Sequence, residues 1–262
     1  MDYRNRIFNE DCLDTMKRMK ICGTKVDLIL TSPPYNTSRK GSSLDNACAN
    51  IRYDEFNDCR SDDEYRSWTL SIFDGLESVL SENGCILYNL SYSSENTHLM
   101  WLVISDIIQK TNFTIADCIV WKKKSTSPNS CSSNKLTRIC EFVFVICRKS
   151  EFYTFNSNKK VTSTRDTGQL SYENIFNYIN AANNDGSCDI HKATYSTELC
   201  FKLLDIYAKN GVLVYDPFMG TGTTAIACIK KKLNYVGSEL SSRYVEYAEN
   251  RIKKEIQQLS LF

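Results

Sequence analysis

The sequence predicts an α/β fold, a mainly parallel sheet with helices on both faces, and three observations carry that expectation. Two apolar runs, VDLILTSPPYN near one end and GVLVYDPFMGTGTT near the other, read as buried strands that stop abruptly in loops. The second run continues through a helix-like stretch into another strand, NYVGSEL, which gives the order strand, glycine turn, helix, strand. At 262 residues and 42% hydrophobic content, the chain can bury one substantial core with a small appendage.

In the first run, Val26, Leu28, Ile29 and Leu30 form the strand, and Thr31-Ser32-Pro33-Pro34-Tyr35 ends it. Proline fixes φ and cannot donate to a ladder, and each proline holds the residue before it extended. The turn therefore presents a fixed hydroxyl, a fixed carbonyl and an aromatic ring at the carboxyl end of a strand, where open α/β sheets place their ligands. Ser32 Oγ and the Pro33 carbonyl can each accept a hydrogen bond from an exocyclic NH2, and Tyr35 offers a face for stacking. Acceptors on both hydrogens favour a pyramidal nitrogen with its lone pair free. The same residues also suit a strand-ending turn without chemistry.

The second run reads as a strand (Val212 to Tyr215), a turn holding Gly220 and Gly222, a helix (about Thr223 to Lys231) and a strand (Asn234 to Gly237). Gly220 and Gly222 let the backbone approach a ligand, with Ala225 in the place of a third glycine. Glu239 follows at the end of the next strand, at the spacing usual for an acid that grips ribose hydroxyls.

Together these segments resemble the amino-methyltransferases of DNA. TSPPY resembles their catalytic motif, with Ser32, Pro33, Pro34 and Tyr35, and DPFMGTGTT resembles their cofactor loop. The order, catalytic motif first and cofactor loop last, is that of the permuted β class. The resemblance implies a Rossmann-like, circularly permuted sheet with a small target-recognition insertion. It also implies S-adenosyl-L-methionine as cofactor and double-stranded DNA as substrate. The expected cofactor contacts are Asp11 (in IFNEDCLDTM) at the adenine, Glu239 at the ribose, and Thr31, Asp216, Pro217, Phe218, Gly220, Thr221, Gly222 and Thr223 around them. GCILYNLSY, CIVWKKK and TRICEFVFVICRK resemble later strands of the sheet, whereas HKATYSTEL departs from a family segment that usually carries prolines. The implied organisation is a catalytic half (1–150), a target-recognition region (151–189) and a cofactor half (190–262) of one domain. A serine before the two prolines is associated mostly with cytosine N4, and adenine N6 is the alternative.

The remaining composition fits a cytoplasmic nucleotide-handling enzyme. The sequence shows no membrane span and no basic-then-apolar leader at its N-terminus. Twelve cysteines lack C-x-x-C spacing and many fall in apolar segments, so they read as reduced core thiols. With only His98 and His191, no histidine-rich metal site is expected. The net charge of +1 means that DNA must be met by a local patch. Between 121 and 160, nine basic residues face two acids, while 41 to 80 holds nine acids against Arg52, Arg60 and Arg66. Candidate DNA contacts are Arg39, Lys40, Lys122, Lys123, Lys124, Lys135, Arg138, Lys159, Lys160 and Arg165. Lys122 to Lys124 also suit a solvated strand end.

Two long loops, Ser125 to Lys135 and Asn36 to about Arg60, are expected to border the site and to order around DNA. Ser61 with Glu64 forms a capping box that opens a helix through Tyr65, Trp68 and Ile72. The final residues, Gln258-Leu259-Ser260-Leu261-Phe262, resemble a peptide that docks on the replication sliding clamp. They also suit packing back on the domain. A cognate restriction endonuclease is a candidate partner, and a dimer is the candidate assembly. Three other readings compete: a nicotinamide-dependent oxidoreductase, which leaves TSPPYN unexplained; a protein-glutamine methyltransferase, in which the motif order is reversed; and an inactive DNA-binding relative.

Overall fold

The structure, a computed structural model, describes residues 2–36, 55, 60–93, 96–126, 128–130, 132–186 and 195–259. In chain order the elements are β1 (Arg6–Asn9), α1 (Cys12–Ile21), β2 (Val26–Thr31), α2 (Asp62–Val79), β3 (Leu80–Leu90) and α3 (Leu99–Lys110). Then come β4 (Phe113–Lys123), β5 (Cys140–Arg148), β6 (Val161–Thr164), β7 (Leu170–Tyr172) and β8 (Tyr178–Ala181). The chain closes with α4 (Thr197–Tyr207), β9 (Leu213–Asp216), α5 (Thr223–Lys230), β10 (Asn234–Glu239) and α6 (Ser242–Leu259).

Among the described residues, eight strands form one sheet in the order β1-β10-β9-β2-β3-β5-β4-β8. Only β5 runs antiparallel to its neighbours. β2 reads as a continuous apolar run because both its faces are covered. Leu28 and Leu30 face one layer and Ile29 the other. On the Ile29 side pack α1, α2 and α3, through Met16, Met19, Phe73, Leu76 and Ile107. On the opposite side pack α4, α5 and α6, through Leu203, Leu204, Ala227 and Ile252. The expected α/β fold, with helices on both faces of the sheet, is the one observed, and β5 makes the sheet mixed.

The central pair β9 and β2 fixes where a ligand can sit. From β9 the chain proceeds to β10 on one side, and from β2 it proceeds to β3 on the other. Their carboxyl ends therefore splay around a crevice at a topological switch point. At the opposite end, Asp27 holds the register by accepting from the Leu213 amide (2.8 Å) and Ser81 Oγ (3.1 Å), so three strands meet on one carboxylate.

Expected elements recur with small shifts. The Ser61 box is complete: the Glu64 amide donates to Ser61 Oγ at 3.3 Å and the Ser61 amide to Glu64 Oε2 at 2.8 Å. The glycine-turn strands fall at β9 and β10, within two residues of their expected ends. The C-terminal helix α6 packs through Tyr244, Ala248 and Ile252, a core stripe at four-residue spacing. The 151–189 segment is only partly an appendage. β6 and β7 make a separate exposed hairpin, but β8 pairs with Val120–Lys123 at the edge of the main sheet. Arg39, Lys40, His191 and Ser260–Phe262 lie outside the described residues. Among the described residues, no helix is long and apolar enough to cross a membrane.

Helices α2 and α3 are tied by charge. Arg66 Nε and Nη2 donate to Asp106 at 2.7 and 3.0 Å, and Lys110 adds a contact at 2.9 Å. The Arg66 hydrogen bonds hold the Asp106 carboxyl below its ordinary range. A carboxylate with a lowered folded pKa stabilises the fold above its unfolded pKa, and loses that contribution as acid protonates it. Asp106→Ala should therefore lower the unfolding free energy by about 2 kcal/mol at pH 7. That value is below that of a fully buried pair, because Arg66 remains a quarter exposed. The difference between the two proteins should shrink below about pH 4 in urea titrations.

Candidate active site

Four adjacent parallel strands deliver the expected residues to one edge of the sheet. β1 leads to Asp11, β10 ends in Glu239, β9 ends in Asp216, and β2 ends in Thr31 with the proline turn behind it. Residues from opposite ends of the sequence are thus brought together. Asn9 locks the outer pair, its Nδ2 donating to the carbonyls of Glu239 (3.0 Å) and Leu240 (2.7 Å).

Asp216 is fully buried. It accepts hydrogen bonds from Thr31 Oγ1 (2.8 Å), the Phe218 amide (3.0 Å), Thr224 Oγ1 (2.6 Å) and the Tyr195 hydroxyl (3.1 Å). Burial pushes its carboxyl above the ordinary range, and these donors pull it back. The side chain expected to line the cofactor is therefore occupied by the protein itself. It joins the end of β2, the loop and the start of α5. Thr31 is likewise buried in this bond rather than open to a ligand.

The glycine turn follows. Gly220 and Gly222 have φ of 51° and 85°, a region open to glycine at little cost. A Cβ on Gly222 would stand 2.9 Å from the Ala248 Cβ of α6, so the loop also needs glycine to pass beneath that helix. Arg251 of α6 supports the loop by donating to the Thr221 carbonyl at 2.9 Å, and its other nitrogen pairs with Asp185 at 2.9 Å. Phe218 packs on Trp68 of α2 with ring centroids 5.5 Å apart.

Glu239 closes the turn, accepting from the amides of Gly220 (2.8 Å) and Ser241 (2.9 Å). Burial raises its carboxyl to about 6 despite these bonds. Asp11 caps α1, one oxygen accepting from the Leu13 amide at 2.8 Å, beside the Asn9–Glu239 pairing of β1 and β10.

Beyond β2, Tyr65 donates to the Pro34 carbonyl at 2.6 Å and so fixes the proline turn from α2. Ser32 Oγ lies 3.1 Å from the Tyr35 hydroxyl, which donates to Glu141 Oε2 at 3.0 Å. Asn89 Nδ2 reaches Tyr35 (2.7 Å), Glu141 (3.2 Å) and Ser32 (3.3 Å). Lys123 pairs with Glu141 and lies over the Trp121 ring. Sequence reading missed Asn89 and Glu141. A polar residue inside GCILYNL and an acid opening CEFVFVIC were the available signals, since buried polar groups in strands need partners.

The expected DNA contacts divide. Lys123 pairs with Glu141, and Lys124 pairs with Glu198 at 2.8 Å. Lys122 is half-buried, and Arg138 is bound to the Tyr92 carbonyl and stacked over its ring. Lys135, Lys159, Lys160 and Arg165 are exposed. The 125–135 loop folds on itself where it is described, with Asn129 bonded to Thr137 and Lys135. Among the described residues no cluster could hold a metal, and the described cysteines are free thiols.

The comparison with known families decides what this edge belongs to: a DNA methylase model, of the N6 and N4 type, matches residues 26–250. The chain belongs to that DNA methylase family. Membership decides against the dehydrogenase and protein-glutamine alternatives. The type II methyltransferase M.HinfI of Haemophilus influenzae is 24% identical across 97% of this chain and 69% of its own length. The solved PvuII DNA methyltransferase, described as cytosine-N4-specific, superposes with a TM-score of 0.68 at 15% identity, over 93% of this chain and 84% of its own. The M1.HpyAVI–SAM complex superposes at 0.60 with 22% identity, over 94% and 98%. At these identities both solved structures show the methylase fold.

The Asp216 bonds make a direct forecast. Asp216→Ala strands four donors and should lower the unfolding free energy by about 3–5 kcal/mol. Asp216→Asn should lose less than half of that, because the Thr224 and Tyr195 hydroxyls can turn and accept. Denaturant unfolding of the two variants checks the ratio.

Proposed function

We propose that this methylase-family chain transfers a methyl group from S-adenosyl-L-methionine to the exocyclic amine of a base rotated out of double-stranded DNA, with cytosine N4 favoured over adenine N6. The observation that carries the reading is the pairing of two sites on adjacent strands: the Ser32–Tyr35 turn after β2, and the glycine loop after β9. Asp216 links them through Thr31 and Phe218. When bound, the cofactor supplies an electrophilic methyl on a positively charged sulfur. The residues present fit such a group. Glu239 can accept ribose hydroxyls, the Asp11 carboxylate can accept from an adenine amine, and the left-handed glycines Gly220 and Gly222 let the loop approach closely.

On the other side, Ser32 Oγ and the Pro33 carbonyl hold the target amine while Tyr35 packs on the base. No covalent intermediate is required, and alignment of the amine with the methyl supplies most of the rate. The preference for cytosine rests on Ser32, because by resemblance a serine before the two prolines goes mostly with cytosine N4. DNA is met by the exposed Lys135, Lys159, Lys160 and Arg165, the last of these on the β6–β7 hairpin. A cytoplasmic setting, a cognate endonuclease, dimerisation and clamp docking through Gln258 to Phe262 are consistent companions of this activity.

Expression in a host without DNA methylation, followed by single-molecule mapping of modified bases, should reveal N4-methylcytosine in one short sequence context. N6-methyladenine in such a context would select the alternative base, and unmodified DNA would defeat the reading. A second expectation concerns pH. Ribose hydroxyls need the ionised Glu239, whose carboxyl stands at about 6 in the free protein. Cofactor affinity should therefore fall roughly tenfold from pH 7 to pH 5, and Glu239→Gln should bind weakly without that dependence, by titration calorimetry. Fold stability runs the other way, because a raised carboxyl favours the fold below its unfolded pKa and loses that contribution as pH rises through about 6.

A further inference from the structure

The hydrogen bonds around Ser32 have a direction that the methyl-transfer reading does not use. An ionised Glu141 can only accept, so the Tyr35 hydroxyl must donate to it, and Tyr35 then has only lone pairs left. Asn89 presents its NH2 to the same three oxygens, which fixes the orientation of its amide. The reverse orientation would set its carbonyl against the Glu141 carboxylate. Its own Oδ1 is left buried without a partner, a cost accepted to keep the NH2 in place. The remaining hydrogen between Ser32 and Tyr35 therefore belongs to Ser32, which gives it to Tyr35 across 3.1 Å. Ser32 Oγ is thereby left with lone pairs for a substrate N–H.

We infer that Glu141 is the terminal proton acceptor of the reaction, acting on the target amine through Tyr35 and Ser32. This rests on the methyltransferase reading above and extends it to a residue that does not touch the base. As the amine nitrogen bonds to the methyl carbon, the carbon–sulfur bond breaks and its electron pair stays on sulfur, which becomes neutral. The positive charge passes to the amine. The amine then gives one proton to Ser32 Oγ, Ser32 gives its own to the Tyr35 oxygen, and Tyr35 gives its own to Glu141. The products are a neutral methylamine, a neutral thioether and a protonated Glu141, which returns its proton to solvent before the next turnover. Charge balances: a cation and a carboxylate enter, and neither remains.

The surroundings of Glu141 suit this role. It is 15% exposed, and the charged or titratable groups facing it among the described residues are Lys123 of β4 and Tyr35, with the neutral Asn89 of β3 between. Lys123 sets a cation directly against the carboxylate, on the side away from Tyr35 Oη's contact with Oε2. Neither Lys123 nor Glu141 is then available as a surface charge for DNA.

The test uses the full chain, its DNA target and saturating cofactor in single-turnover assays, so that the pH response of Glu239 in cofactor binding is removed. Glu141→Gln should slow methyl transfer at least about 100-fold with the cofactor dissociation constant unchanged. It should also abolish the fall in rate toward acid pH that the parent shows. Tyr35→Phe keeps the ring and the Lys123–Glu141 pair but breaks the chain of hydroxyls. It should give a similar loss and the same flat acid limb, and the double variant should be no slower than either single one. A Glu141→Gln rate within about threefold of the parent, a retained acid limb, or multiplying effects would overturn the relay while leaving the methyltransferase intact. Should Glu141→Gln fail to fold, Tyr35→Phe alone decides by the same two readouts. A parent chain that methylates no DNA removes the underlying reading, and the relay with it.

Discussion

One buried carboxylate holds the active edge together. Asp216 ends β9, yet its four donors come from β2, the glycine loop, the start of α5 and the segment preceding α4. A charge at that depth survives only if it is fully hydrogen-bonded, so each donor is constrained as tightly as the acid. The distance between the glycine loop and the proline turn is consequently a property of the core. Catalysis by alignment needs such rigidity, because small displacements of a reacting pair cost large factors in rate.

Around that centre the two halves of the edge differ in character. On the cofactor side, recognition depends on backbone shape: left-handed glycines, a loop passing under Ala248, and amides turned to Glu239. On the substrate side it depends on side-chain hydroxyls and amides drawn from three strands, with Glu141 setting the sense of every hydrogen bond. In the reading proposed above, the first arrangement places the cofactor and the second carries the proton away. Arg251 and Asp185 add a bridge from the cofactor loop to the segment just after β8, and so to the region that carries the exposed hairpin.

Much of this was legible in the sequence, for physical reasons that differ by element. β2 and β9 were readable because strands covered on both faces are apolar throughout and end in residues with restricted backbones, Pro33 and Pro34 in one case and Gly220 and Gly222 in the other. α2 was readable from its capping box. The inward turn of Asp216 was not, since local sequence does not reveal whether an acid at a strand end faces solvent, ligand or four buried donors. The pairing of Lys123 was hidden for a related reason: a run of three lysines looks solvated, and only the register of β4 against β5 brings the middle one to Glu141. Asn89 and Glu141 stood out only as polar residues in apolar strands, a signal without a partner until the sheet order is known.

The sheet order has a consequence for how the molecule is made. β1 and β2 come from the first 31 residues, yet two strands from residues 213–239 lie between them. During synthesis the first part of the chain therefore has a gap at its centre, and the edges of β1 and β2 that will flank it have no strand to pair with. Such edges are templates for wrong pairing, and long-range closure is slow. The methylase edge comes into being only when the last fifth of the chain slots into the gap. A truncated product ending before residue 213 is then an open, adhesive sheet without Asp216 or Glu239, rather than a weakened enzyme.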